Sequence, residues 1–280
     1  MRTSTDDLLW PSATRTTSCP GHLACCLNLS TTRASRAFLM EMAIKLLKFV
    51  IALALMPFVA GEIWTLVDLA RAATSVGPWW EHWFISFAAG FVAWLIVFFL
   101  LPRTMWLYVL GHEFTHALAA MMAGGKISSF QVSAKGGHVV TDRVNWWITL
   151  SPYFIPLYAL IWMGLWLSVD FWHPLKAYQP ILYFGLGIFW CFHLTFTASM
   201  FHLRQTDLSS QGIVFSAVII LLINLIFFLF LFSLLAHDLT LKGAGDLFLH
   251  RVGQSYIYTW NQITRGAAWA WSAWQAHHPK

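Results

Sequence analysis

Gly111-His112-Glu113-Phe114-Thr115-His116 lies inside an apolar run covering 105–123. Residues four apart share one face of a helix, so His112 and His116 can offer two imidazole nitrogens to a single metal ion. Glu113 then sits beside them, where a carboxylate can take a proton from a water activated by the metal. This is the two-histidine, one-glutamate pattern of zinc-dependent hydrolysis, and Zn2+ is the cofactor it implies. The competing reading is a pair of packed helix histidines. Against it stands the neighbourhood, because a carboxylate among Leu, Val, Phe and Ala at membrane depth is costly without a partner and marks a site.

The surrounding composition sets the class. Of 280 residues, 58% are hydrophobic and only 10% are charged, and the mean hydropathy is +0.62, which excludes an ordinary soluble domain. The expectation is an all-α polytopic protein integral to the cell or inner membrane, crossing it several times. A formal charge of +5 is spread over scattered Lys and Arg with no basic run, so lipid headgroups rather than nucleic acid are the expected partner. Cys19, Cys25, Cys26 and Cys191 do not form a disulfide framework.

Working outward, residues 1–42 read as a leader, disordered to about residue 39, with Met40 or Met42 as an alternative start. Within it Cys19, His22, Cys25 and Cys26 have ligand chemistry but no second cluster to complete a site. Residues 43–236 form the membrane-embedded domain, with about six apolar segments at 44–64, 84–101, 105–123, 149–169, 181–201 and 213–236. The first is expected to be broken by Pro57, and the fourth to be irregular at Pro152 and Pro156. After Gly124 and Gly125 end the motif helix, alternation on both sides of Lys135-Gly136-Gly137 predicts a short β-hairpin over 129–141. Residues 237–280 form a Trp-rich tail in which Ile257, Trp260, Ala267, Trp271 and Trp274 share a helical face. That face fits an interfacial helix lying along the membrane, or an amphipathic helix packed on the bundle.

Zinc at a catalytic site takes three protein ligands and leaves a position for water. A third histidine six residues after His116 is ruled out by Met122, and a downstream glutamate by Glu113 being the last in the chain. Asp142 and Asp170 fall in loops, and Asp238 and Asp246 in the tail. Asp207 alone stands where two strongly apolar segments meet, as a metal ligand or as a helix cap. His193 and His202 compete from the segment upstream and are otherwise groups that steady the ligands or lie buried as polar residues, and His138 is a further alternative.

The motif in a membrane helix, the glycine-bearing hairpin after it and an aspartate opening a later span together resemble the site-2 protease family of intramembrane zinc metalloproteases, over about residues 84–236. The family's aspartate belongs to an Asn-Pro to Asp-Gly pattern; here no Asn-Pro precedes Asp207, Leu208 follows it, and glycine waits until Gly212. The resemblance implies hydrolysis of peptide bonds in or near the transmembrane segments of membrane-protein substrates. Zinc would be held by His112, His116 and Asp207, with Glu113 as base and then acid. A substrate helix must unwind before attack, and the hairpin edge with Gly136, Gly137 and His138 is suited to holding it by strand addition. Asn145 is a candidate to stabilise the oxyanion. Two rivals use the same residues: a di-iron oxygenase, which lacks its further histidine boxes here, and a non-catalytic relative that binds clients or metal.

Overall fold

The computed structural model describes residues 22–76, 82–101, 105–133, 136–202, 205–235 and 240–278, with backbone alone for 22–34, 37, 73–76, 82, 202 and 234–235. Its first helix, α1 (His22–Val76), is 55 residues long and passes through Pro57 without a break. Helix therefore begins inside the stretch read as a leader, and the Cys19, His22, Cys25, Cys26 group lies outside the described side chains. The expected break at Pro57 does not occur. Proline at 57 removes the donor for the Leu53 carbonyl four residues back, while hydroxyls of the last helix, α9 (Leu241–His277), anchor α1 close by: Ser255 donates to Pro57 O and Tyr256 to Ala54 O at 2.9 Å.

Helix α2 (His82–Leu100) lies against α6 (Gln179–His202), which follows a 3-10 turn at Lys176–Tyr178. Glycines permit this close packing. A β-carbon at Gly90 would fall 2.0 Å from Phe184 O, and one at Gly187 would fall 2.1 Å from Phe87 O. Small residues at such crossings let backbones approach, and packing rather than the hydrophobic effect holds helices together in lipid. Trp94 Nε1 adds a hydrogen bond to Thr195 Oγ1 at 3.0 Å.

The motif helix is α3 (Met105–Met122). Gly124, at φ 73°, ends it and leads into strands β1 (Ile127–Ser133) and β2 (Gly136–Thr141), antiparallel with Phe130 opposite Val139 and Gln131 opposite His138. The two glycines expected in the hairpin turn instead open β2. Next, the apolar segment with two prolines divides into α4 (Trp146–Phe154) and α5 (Leu157–Trp172), bent by 69°. Residues Ile148 to Phe154 are all buried, so α4 is the centre around which the bundle closes. Short α7 (Thr206–Gln211) turns at Gly212, φ 93°, into α8 (Ile213–Leu235).

Four helical stretches are long and apolar enough to cross a membrane: Phe38–Ala72, Trp83–Leu100, Lys176–Phe201 and Ile213–Ser233; the bent α4–α5 pair makes a fifth if it counts as one span. This is consistent with an integral membrane protein. The difference from six lies at α3, whose apolar run is interrupted by His112, Glu113 and His116.

Candidate metal centre

Two turns of α3 create the first half of the site. His112 and His116 project from one face, with Nε2 atoms 3.2 Å apart, while Gly111 on the same helix lets the Tyr158 ring of α5 lie directly against the backbone. Tyr158 fixes that contact by donating to Leu107 O at 2.5 Å. Thr115 turns its hydroxyl back to Gly111 O at 2.7 Å, so a polar residue next to His116 makes no demand on the core.

Pro152, inside α4, supplies what orients His116. Proline has no N–H, so Pro152 leaves the Ile148 carbonyl without its helical partner four residues on. That oxygen lies 2.8 Å from His116 Nδ1 and also accepts from Ser151 Oγ at 3.0 Å. A carbonyl only accepts, so Nδ1 carries the proton and Nε2 presents its lone pair inward. His112 Nδ1 pairs with Tyr108 Oη at 3.1 Å.

Asp207 completes the cluster. Its Oδ2 lies 3.5 Å from His112 Nε2 and 3.4 Å from His116 Nε2, and the residue is only 5% exposed. The helix cap of α7 is Gln205, not Asp207; the aspartate is in the first turn, with its carboxylate turned into the bundle. Tyr153 Oη donates to Oδ2 at 3.2 Å. Among the described residues, His112, His116 and Asp207 are the one group of three or more His, Cys, Asp or Glu able to hold a metal ion, their ligand atoms all within 4.8 Å of one another.

Glu113 is 9% exposed and lies under the hairpin. A β-carbon at Gly137 would fall 2.6 Å from Glu113 Cγ, 2.7 Å from Gln131 O and 3.1 Å from Val109 Cγ1. Glycine at 137 is therefore what allows β2 to sit on the carboxylate. Gly136 and His138 flank it in the same strand and, with Phe130 to Ser133, line an open groove along the hairpin.

Among the described residues, the others singled out by sequence are not members of this cluster. His193 faces Asn224 Oδ1 at 3.0 Å and shares the lining of a cavity with His112, Tyr108 and Tyr158, outside the ligand cluster. The side chain of His202 is not among those described. Asn145 caps α4, accepting from Ile148 N at 2.8 Å, which is structural work at the start of the helix that carries Ile148, Pro152 and Tyr153.

Sequence reading missed Tyr108, Tyr153, Asn224 and the Ile148 carbonyl. Asn224 donates to the Tyr153 carbonyl at 2.9 Å, an oxygen left over where α4 stops. One signal was visible: two prolines four residues apart bracket Tyr153 and guarantee unpaired carbonyls that buried donors must satisfy. The arrangement as a whole is a helical bundle of membrane type enclosing a His2Asp cluster with a carboxylate and a strand edge beside it. Comparisons with protein-family models, with curated proteins and with solved structures find no match for this chain.

Proposed function

We propose that this chain is an intramembrane zinc metallopeptidase, similar to the site-2 protease family, that hydrolyses peptide bonds in or near transmembrane segments of membrane proteins. The observation that carries the reading is the triangle of ligand atoms at 3.2, 3.4 and 3.5 Å. A tetrahedral ion with ligands at about 2.0–2.1 Å spaces them about 3.3–3.4 Å apart. The observed spacing matches that of donors around a single cation, and His116 in its neutral form, with its Nδ1 proton committed to Ile148 O, turns a lone pair toward Asp207 and His112.

The ion would lower the pKa of a coordinated water toward neutrality. The residues of the chain do the rest. Glu113, next in sequence to His112 and pressed against β2, takes the proton of the attacking water and passes it to the leaving amine. Tyr153 steadies Asp207, and Ile148 steadies His116, so that the ligands hold their geometry through the reaction. The exposed side of the hairpin offers backbone donors and acceptors to an extended substrate segment, which meets the need to unwind a helix before attack. The lipid bilayer and a membrane-protein substrate are the partners, and nucleic acid is not one.

Zinc quantification and substrate cleavage with purified full-length protein test the reading. Glu113→Gln should keep one zinc and lose cleavage, and Asp207→Ala should lose both. Iron in place of zinc, or undiminished cleavage by Glu113→Gln, would overturn it.

A further inference from the structure

One face of α1 repeats at alternating spacings of four and three: Leu55, Val59, Glu62, Leu66, Leu69. Leu55 and Val59 pack in a core cluster with Ile219, Leu222 and Ile223 of α8. Leu66 and Leu69 pack in another with Leu229 and Phe232 of α8 and Ala244, Leu247 and Phe248 of α9. Glu62 falls between the two clusters, 0% exposed, and neither carboxyl oxygen has a hydrogen-bond partner among the described residues.

Nearby polar groups are already engaged. Thr65 Oγ1 donates to Gly61 O at 2.7 Å, and Ser255 donates to Pro57 O and to Val252 O. Helix α8 carries no charged residue. On α9, Lys242, Asp246 and His250 are exposed, while half-buried Arg251 is held by Asp68 and Gln254 at 2.5 and 2.6 Å. Lower on α1, Lys45 pairs with Glu41 and Lys48 with Gln211. The α1 and α9 backbones touch beside Glu62, since a β-carbon at Gly61 would lie 2.6 Å from Val252 Cα. A carboxylate so enclosed finds no donor or cation among the described residues to stabilise its charge, and a group in that position neutralises.

We propose that Glu62 is an intramembrane proton-binding site: it is a neutral carboxylic acid when α9 is docked on α1, and loss of its proton to water undocks α9. Ionised Glu62 requires hydration, for which its enclosure leaves no room; α8 is long and apolar enough to cross a membrane whereas α9 is not, so the contact that opens is the one to α9. The Asp68–Arg251 pair then acts as a tether that keeps α9 from leaving altogether. Nothing in this depends on hydrolysis at the metal centre.

The test uses full-length protein in lipid vesicles. Infrared spectra should show a protonated-carboxyl C=O band at neutral pH that Glu62→Gln removes. Spin labels at exposed Leu46 and Ile263 should give a narrow distance distribution at neutral pH that broadens reversibly at alkaline pH, and Glu62→Gln should abolish the broadening. Should Glu62→Gln fold poorly, Glu62→Leu, which continues the apolar seam, should raise the unfolding temperature and also abolish the pH response. A missing band in the unaltered protein, or the same alkaline response with and without Glu62, would overturn the assignment.

Discussion

His116 donates its Nδ1 proton to the carbonyl oxygen of Ile148 at 2.8 Å, across 32 residues of sequence, and it does so because Pro152 cannot claim that carbonyl for α4. A proline inside α4 and the orientation of a candidate metal ligand are thus one design. Replacing Pro152 with Ala supplies an N–H that competes for Ile148 O. Zinc affinity should fall about 10- to 100-fold, the usual effect of losing a partner that orients a ligand, and titration against a competing chelator reads it directly. Unchanged affinity would show that His116 is held by its packing alone.

Asp207 and Tyr153 should separate in degree. Asp207→Ala removes a proposed ligand and should abolish stable zinc binding, whereas Tyr153→Phe removes only the 3.2 Å hydrogen bond to Oδ2 and should weaken binding by roughly tenfold. Metal content after dialysis distinguishes them.

Two adjacent glycines should behave differently. Gly137→Ala drives a methyl group into Glu113 Cγ and Gln131 O, so cleavage should drop sharply while zinc stays bound. Gly136 has open space around it but φ 142°, so Gly136→Ala should cost about 1–3 kcal/mol of backbone strain in the hairpin. Paired zinc and cleavage assays, with hydrogen exchange of the hairpin amides, report each outcome.

Gly187→Leu should destabilise the bundle without touching the site. Its side chain meets the backbone of α2 at Phe87 and Phe91, which cannot yield as a flexible side chain would. Overpacking of this kind costs about 1–3 kcal/mol or more, and thermal unfolding in detergent should show a clear drop.

Removing metal should lower stability through linkage. An ion at a concentration 100-fold above its dissociation constant adds about 2.7 kcal/mol, so a chelator should reduce the unfolding temperature of the unaltered protein. The Asp207→Ala protein should be indifferent to chelator. An equal response in both would place the bound metal elsewhere.

Much of the site was legible because its logic is local. His112 and His116 share a face through the helical repeat alone, and elimination among carboxylates left Asp207, whose junction between two apolar segments set it apart. The cap made by Asn145 was not legible for the same local reason: a polar residue before an apolar helix is as good a cap as a binding group, and the Ile148 N contact shows the cap. Pro57 was read as a break because the sequence does not reveal that Ser255 and Tyr256, some 200 positions on, anchor α1 close to it.

Composition and period by themselves determined a bundle of apolar helices, a two-histidine face with a glutamate beside it, and a glycine-bearing hairpin. Those follow from interactions within a few residues along the chain. Tertiary structure alone decided that Asp207 turns inward to both imidazoles, that Ile148 fixes the His116 tautomer, that β2 rests on Glu113, and that Glu62 is shut away between α1, α8 and α9. Each of these joins groups tens to hundreds of residues apart, and hydrogen bonds and burial depend on distance in space rather than along the chain.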